Sequence, residues 1–147
     1  MKLNFSDIEP VFPIRTAAKL LNISVHTLRM YEREGLIIPY KKSSNQRLYS
    51  QKDIERIQCI RKAINEDKLS IKGIVKIFSF IPCWKIVGCT EEDRNNCEAY
   101  NNDSVPCWAV FHKNNFCTDK DCRACEVYSN YGECNSIRNK IKELIKS

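Results

Sequence analysis

Eight cysteines lie between residues 83 and 134, separated by polar stretches such as TEEDRNN and YNNDS. These stretches contain too few apolar residues for an ordinary hydrophobic core, and a segment of about 65 residues is near the lower size limit for an independent domain. Thiolates gathered around a metal would hold such a segment together. The sequence therefore predicts a small irregular module that depends on a bound metal ion or cluster.

The spacing of these cysteines leaves the kind of bound group open. Only Cys122 and Cys125 have the C-x-x-C spacing that brings two thiolates to one ion, and a second such pair, as in a zinc ribbon, is missing from the sequence. Ligands from separate loops suit an iron–sulfur cluster, or one or two zinc sites. We favour the cluster, then zinc, then metal-free thiol switching.

Other residues near the cysteines receive simpler interpretations. His112 is left out of the predicted ligand set, because a lone histidine is more often a loop residue. Cys59 is interpreted as a small core residue of a helix. Trp84 and Trp108 each follow a cysteine, where an indole could shield sulfur from water or fill a small core.

The positive charge is confined to the first part of the chain. Residues 1–82 contain 15 Lys/Arg and 8 Asp/Glu, a net charge of +7, whereas residues 83–147 contain 9 and 10, a net charge of −1. Such a basic excess favours nucleic acid as a partner, although a solvated basic face gives the same count.

The sequence MKLNFSDIEP lacks the apolar region and cleavage site of a signal peptide, and no apolar run approaches the length of a membrane span. We therefore expect a cytoplasmic protein with no membrane partner. In that compartment cysteines usually serve metal or redox chemistry.

A helix-turn-helix is predicted from IRTAAKLLNISVHTLRMYEREGLI, residues 14–37. Thr16 would cap the first helix, Asn22 would end it, Ser24 would cap the second, and Gly35 would stop it. The second helix of such a pair reads the major groove. Its outer face would present His26, Thr27, Arg29, Met30 and Arg33.

A β-hairpin wing and two more helices are predicted next. IIPYKKSSNQRLYS, residues 37–50, has short apolar pieces around a polar turn. Ser50 with Asp53 resembles a capping box for a third helix, and Ser70 starts a fourth that ends at Pro82. Lys41, Lys42, Arg47 and Tyr49 would meet the DNA backbone.

Residues 14–80 resemble the winged helix-turn-helix of the MerR family of transcription regulators, through the stretch above, then QRLYS and DIERIQCIRKAI. The resemblance implies a mainly α fold with four helices and a small wing, and double-stranded DNA as the partner. The DNA contacts it implies are Ser24, His26, Thr27, Arg29, Tyr31, Arg47 and Tyr49. The complete predicted set adds Thr16, Lys41 and Lys42.

Three departures from the MerR pattern stand out. Met30 replaces a common aromatic residue, and the wing tip SSNQR lacks the usual Asn-Gly. The long dimerisation helix that generally follows the fourth helix in that family is absent. A short helix is predicted at residues 135–147 instead, either pairing with its copy in a homodimer or folding back on its own chain.

Residues 83–128 are similar to the two-CW cysteine-rich domain attached to various bacterial signalling proteins. The similarity is carried by CWKIVGC, CEAY, the second CW and CRACEVY. It implies a metal- or cluster-binding module, and Cys134 lies beyond it. The predicted ligands are Cys83, Cys89, Cys97, Cys107, Cys117, Cys122 and Cys125.

These predictions divide the chain into an N-terminal arm (1–13), a winged helix-turn-helix (14–82), a cysteine-rich module (83–134) and a C-terminal helix (135–147). We expect a sequence-specific transcription regulator, a homodimer on an operator, whose tail senses metal or redox state. The MerR resemblance permits promoter distortion, with RNA polymerase as a further partner.

Two alternatives belong to other classes of protein. One is an architectural DNA-binding protein with a structural zinc tail and no sensing. The other is a thiol oxidoreductase acting through Cys122 and Cys125, but the sequence has no βαβ pattern around that pair, no Gly-rich phosphate loop and no paired carboxylates in an apolar setting. We therefore predict no enzyme activity.

Overall fold

The computed structural model describes residues 6–102, 104–131 and 137–146. The fold is mainly helical with one small antiparallel sheet, as predicted. The described strands are β1 (Phe12–Pro13), β2 (Tyr40–Lys41) and β3 (Arg47–Tyr49). The described helices are α1 (Ile14–Leu21), α2 (Val25–Arg33), α3 (Gln51–Asn65), α4 (Ile71–Ser79), α5 (Cys83–Ile86), α6 (Glu91–Asn95), α7 (Glu98–Asn101), α8 (Glu126–Tyr131) and α9 (Ile137–Lys146).

Helices α1 and α2 form the helix-turn-helix. Asn22 ends α1 in the left-handed conformation, with φ 54°, and the Ser24 hydroxyl accepts the Thr27 backbone N–H at 3.0 Å to start α2. The prediction that Thr16 caps α1 is wrong. The N-cap is Pro13, and Thr16 lies inside the first turn because the helix already begins at Ile14.

The wing is the β2–β3 hairpin, with Tyr40 opposite Leu48. Asn45 in its turn has φ 65°, a conformation that asparagine tolerates better than most residues. The sheet gains a third strand that the sequence analysis did not predict. Phe12, in the segment predicted as an arm, pairs with Tyr49, so β3 lies between β1 and β2.

Helices α3 and α4 complete the winged helix. Ser50 and Asp53 form a reciprocal capping box, with the Ser50 N–H bonded to Asp53 Oδ2 at 2.8 Å, as predicted. Ser70 caps α4, which ends at Ser79, three residues before Pro82. The buried apolar residues of the two helices include Ile54, Ile57, Ile60, Ala63, Ile74, Val75 and Phe78.

The segment from α5 to α8 consists of turns and helices of four to six residues. It does not bury a separate core. Trp108, Val127 and Tyr128 belong to the same hydrophobic cluster as Leu36 and Phe78 of the winged helix. The cysteine-rich segment is therefore packed directly against the helix-turn-helix.

Helix α9 is the predicted C-terminal helix, and it lies beside α8 of the same chain. Cys134 lies outside the described residues. Among the helices that the structure describes, none is long and apolar enough to cross a membrane.

Candidate nucleic-acid interface and cysteine cavity

The outer face of α2 presents several of the predicted DNA contacts. His26 and Arg29 are exposed, and Ser24 and Thr27 lie at the N-terminus of the helix with their hydroxyl oxygens 2.9 Å apart. Exposed arginine on a groove-reading helix can bond guanine through two donors. Thr16 is exposed on the neighbouring helix α1. The structure thus brings these five predicted contact residues to one pair of helices.

Tyr31 and Tyr49 are placed differently from what the sequence analysis predicted. Each is 1% exposed and belongs to the hydrophobic cluster. The Tyr31 hydroxyl accepts a hydrogen bond from Arg61 Nη1 at 3.3 Å, and the Tyr49 hydroxyl has no hydrogen-bond partner among the described residues. Burial raises the pKa of Tyr49 above its ordinary value. Both side chains act as core residues in this conformation.

The cations of the wing are partly neutralised by Glu32 of α2. Arg47 Nε and Nη2 donate to the Glu32 carboxylate, the second at 3.2 Å from Oε2, and Lys41 Nζ lies 3.3 Å from the same oxygen. Burial raises the pKa of Glu32, but the hydrogen bonds from Arg47 and Lys41 outweigh it and leave that pKa below its ordinary value. Lys42 is exposed at the tip of the hairpin.

One cavity collects all seven predicted metal-ligand cysteines. The cavity volume is about 30 Å³, and the empty space of the whole crevice, part of it open to solvent, is about 570 Å³. Each of these cysteines has a free thiol and is half-buried. They are Cys83, Cys89, Cys97, Cys107, Cys117, Cys122 and Cys125.

Four of the seven thiols line the inner side of this cavity. Cys83, Cys107, Cys122 and Cys125 are packed against the hydrophobic cluster, and we call them the inner thiols. The thiols of Cys83 and Cys107 are hydrogen-bonded neighbours, and this contact raises the pKa of Cys107 and lowers that of Cys83. Burial and the neighbouring Cys125 raise the pKa of Cys122.

Three thiols form the outer group of the cavity. Burial raises the pKa of Cys117 to about 11, and burial followed by the nearby Cys83 raises the pKa of Cys89. The third, Cys97, lies 3.9 Å from Nδ1 of His112. A bound metal would have to displace protons from thiols of raised pKa, so its binding would release protons.

His112 is the cavity residue that the sequence analysis left out. It is 8% exposed, and its Nε2 lies 2.9 Å from the Cys107 carbonyl oxygen while Nδ1 faces Cys97. The sequence did carry a signal, because CWAVFH is a rare apolar stretch among the polar loops of this segment. A histidine at the end of such a stretch is placed to be buried.

The geometry bears on the kind of group that could bind. Among residues 6–102, 104–131 and 137–146, no three His, Cys, Asp or Glu side chains converge closely enough to hold one metal ion. Thiolates around a single zinc ion lie about 3.8 Å apart, as Zn–S bonds of about 2.3 Å in a tetrahedron require. Seven cysteine thiols are the donors that thiophilic metals prefer, so the donor chemistry fits an iron–sulfur cluster or zinc.

Cys59 differs from the interpretation given to it above. It is half-buried on α3, and it is disulfide-bonded. It is therefore not a simple core residue, and it does not line the cysteine cavity.

The first half of the chain also matches known proteins. Residues 12–81 match the family model described as MerR HTH family regulatory protein. Residues 12–81 form a MerR-family helix-turn-helix domain. The match begins with β1 and ends at Ile81, two residues after the end of α4, so it includes the whole sheet and α1–α4.

Curated relatives resemble the MerR-family domain at moderate identity. The heat shock protein HspR of Streptomyces coelicolor is 34% identical over 68 residues, which are 46% of this chain and 45% of that protein. The HTH-type transcriptional regulators GlnR of Bacillus anthracis and Bacillus cereus are each 29% identical over 68 residues, 46% of this chain and 52% of theirs. The chain thus spans about half the length of the curated relatives it matches.

A buried arginine joins the MerR-family domain to the cysteine-rich segment. Arg56 of α3 is 4% exposed, and its guanidinium carbon lies 3.7 Å from the ring centroid of Tyr128 and 5.1 Å from that of Trp108. Its Nη1 donates to the Tyr128 carbonyl oxygen at 2.7 Å and its Nε to that of Leu36 at 3.3 Å. Cation–π contacts at a buried site stabilise by about 2 kcal/mol. They therefore stabilise the packing of the cysteine-rich segment against the MerR-family domain.

Proposed function

We propose that the chain is a DNA-binding transcription regulator whose cysteine cavity holds a thiolate-bound inorganic group, by preference an iron–sulfur cluster. The observation that carries the proposal is that seven free cysteines line one cavity packed against the MerR-family domain. Loss or gain of that group would change how the cavity residues hold the DNA-reading helices. The cofactor would thus act as the sensor, and DNA binding would be the output.

Several observations support the DNA-binding part of the proposal. The relatives GlnR carry the name of transcriptional regulators, which favours regulation over catalysis for this chain too. The net charge of +7 on residues 1–82 provides the attraction to phosphates, and the exposed Arg29 and His26 on α2 provide groups for base contact. We expect a homodimer on a two-fold symmetric operator, with RNA polymerase as a further partner at the promoter.

The inner thiols are the residues that we propose as the cluster ligands. A [2Fe–2S] or [4Fe–4S] cluster is held by four cysteine thiolates, and the inner thiols are four in number. They are packed against apolar residues, and Trp108 beside Cys107 is 9% exposed, so water would have little access to that side of the group. When bound, a cluster supplies sensitivity to oxidants, gases and iron supply, while the chain holds and shields it.

The alternative is a structural zinc tail with no sensing. The direct packing of the cysteine-rich segment on the MerR-family domain would suit that role as well. The alternative also predicts that the bound metal does not change DNA affinity.

DNA selection under anaerobic conditions tests the proposal. Duplexes selected from a random pool by the full chain would be used in fluorescence anisotropy, with protein as isolated and protein stripped of metal by EDTA and ferricyanide. We expect salt-dependent binding that changes by about 5–150-fold on stripping, the usual range of allosteric coupling. Binding that is blind to stripping would favour the zinc alternative, and no selected duplex would contradict the proposal.

A further inference from the structure

Arg123 lies between two inner thiols but bonds outside the cavity. It belongs to the sequence CRAC, with Cys122 on one side and Cys125 two residues later. Its Nη1 donates to Asp53 Oδ1 at 3.0 Å and its Nη2 to Asp53 Oδ2. The two side chains are 16% and 11% exposed, so this pair is largely shielded from water.

Asp53 is the third residue of α3 and completes the capping box that starts this helix. Its Oδ2 accepts the backbone N–H of Ser50 in the capping box, and the same oxygen accepts from Arg123. Ser50 directly follows β3, the central strand of the wing sheet. Arg123 is therefore bonded to the point where the wing ends and α3 begins.

The segment that leads into the wing is bonded to the cysteine-rich segment as well. Arg123 Nη1 donates to the Ile38 carbonyl oxygen, and the Ile38 N–H donates to the Tyr128 hydroxyl at 2.8 Å. Three residues earlier, the indole N–H of Trp108 donates to the Gly35 carbonyl oxygen at 2.7 Å. Residues 35–38 lie in the connection between α2 and β2. These bonds therefore bear on the spacing between the groove-reading helix and the wing.

The backbone at Gly35 packs closely against Ala109 of the cysteine-rich segment. A Cβ built on Gly35 would lie 3.0 Å from the Cβ of Ala109, and Gly35 has φ +81°, a conformation that other residues rarely adopt. Ala109 follows Cys107 and Trp108 in a single 3-10 turn. A shift of that turn would therefore displace the backbone at the C-terminal end of α2.

We propose that Arg123 is a positioning residue that couples the state of Cys122 and Cys125 to the wing. When the two thiols bind a group, the CRAC turn is fixed and its guanidinium stays on Asp53 and on the Ile38 carbonyl. When the group is lost, the turn relaxes, and the wing and α2 are no longer held at one spacing. The inference rests on the proposed function, because it requires both DNA binding and a thiolate-bound group.

The test is the response of DNA binding to metal removal, measured with and without Arg123. The readout is the ratio of affinities of anaerobic full-length protein as isolated and after EDTA and ferricyanide, on one duplex selected with the wild-type chain. We expect a ratio of about 5–150 for the wild type and a ratio below about 2 for Arg123→Gln. Arg123→Lys, which keeps the charge but has no planar fork, should recover part of the response.

Two further variants make the result decisive. Lys113→Gln removes an exposed cation of the same segment and should keep the wild-type ratio. Asp53→Asn keeps an acceptor for Ser50 but removes the charge that Arg123 meets, and it should lower the ratio even if Arg123→Gln folds poorly. Far-UV circular dichroism of every variant would show whether its helices are intact.

The outcomes separate the two proposals. A wild-type ratio above about 5 that persists in Arg123→Gln and Asp53→Asn would overturn the role of Arg123 and leave the proposed function standing. A wild-type ratio near one would overturn both the sensing function and the coupling. Loss of the response in the two variants, with the Lys113→Gln control unchanged, would support the inference.

Discussion

Arg29 is exposed on α2 whereas Tyr31 of the same helix is 1% exposed, and this difference decides which of them a duplex can reach. The sequence pattern could place both on the second helix, but it could not fix which face Tyr31 takes. That face depends on α1 and α3, which supply the hydrophobic cluster around it. Ser24 and Asn22 were predictable, because a cap depends on local backbone geometry.

Arg29→Ala should weaken binding to a selected duplex by about 1–3 kcal/mol and relax the sequence preference at one base pair, because a bidentate arginine contact carries that much discrimination. Anisotropy titrations on matched and mismatched duplexes would measure it. Lys113→Ala, in the cysteine-rich segment, is the control. Equal affinities for the wild type and Arg29→Ala would show that this side chain does not read DNA.

Tyr49→Phe separates a core role from a phosphate contact. Because the Tyr49 hydroxyl is buried without a hydrogen-bond partner among the described residues, its removal should leave stability unchanged or raise it by up to about 1 kcal/mol. DNA affinity should stay within about twofold of the wild type, because the buried hydroxyl does not reach a duplex. A tenfold change would require about 1.4 kcal/mol. Urea unfolding and anisotropy would give both values. A clear loss of DNA affinity would restore the contact predicted from the family resemblance.

Elements with local signals were predictable, whereas pairings between distant segments were not. The capping box of α3 and the hairpin of the wing depend on neighbouring residues, and both were found where the sequence places them. Strand β1 has two residues, and its pairing with β3 spans more than 30 positions, so no local pattern indicates it. The short helices α5 to α7 lie below the length at which helical periodicity can be recognised.

Ser50→Ala tests the capping box that starts α3. Loss of an N-cap hydroxyl typically costs about 0.5–2 kcal/mol of stability. We expect a decrease in the free energy of unfolding within this range, measured by urea denaturation. Ser79→Ala is a matched control, because Ser79 bonds the Lys76 carbonyl at the end of α4 and caps no helix N-terminus. An unchanged free energy for Ser50→Ala would contradict the role given to the box.

The pair of Glu32 with Arg47 should make wing stability depend on pH. The pKa of Glu32 is lowered in the folded state, so its contribution is present above the ordinary value of 4.5 and is lost as pH falls below it. Urea midpoints of the wild type and Glu32→Gln should therefore differ at pH 7, and the difference should shrink as the pH falls below 4.5. Glu34→Gln, at an exposed neighbouring position, should follow the wild type throughout. Parallel curves for Glu32→Gln and the wild type would contradict this pairing.

The whole molecule is held together by contacts that the sequence could not reveal. Trp108 bonds Gly35 across 73 residues, and Arg123 meets Asp53 across 70. The sequence predicted that the cysteines of residues 83–134 form one module, but no local pattern could place that module against the MerR-family domain. Complementary burial, such as Arg56 among the rings of Tyr128 and Trp108, creates this junction.

Native mass spectrometry of the anaerobically purified full chain, with iron and sulfide analysis, tests the central claim most directly. The account predicts a mass excess equal to one iron–sulfur cluster per chain. That excess should disappear when Cys83 and Cys107 are both replaced by serine, and it should persist in the exposed-residue control Lys113→Gln. A chain of unmodified mass that carries no metal, while its cysteine-rich segment stays protected from hydrogen exchange, would contradict the account.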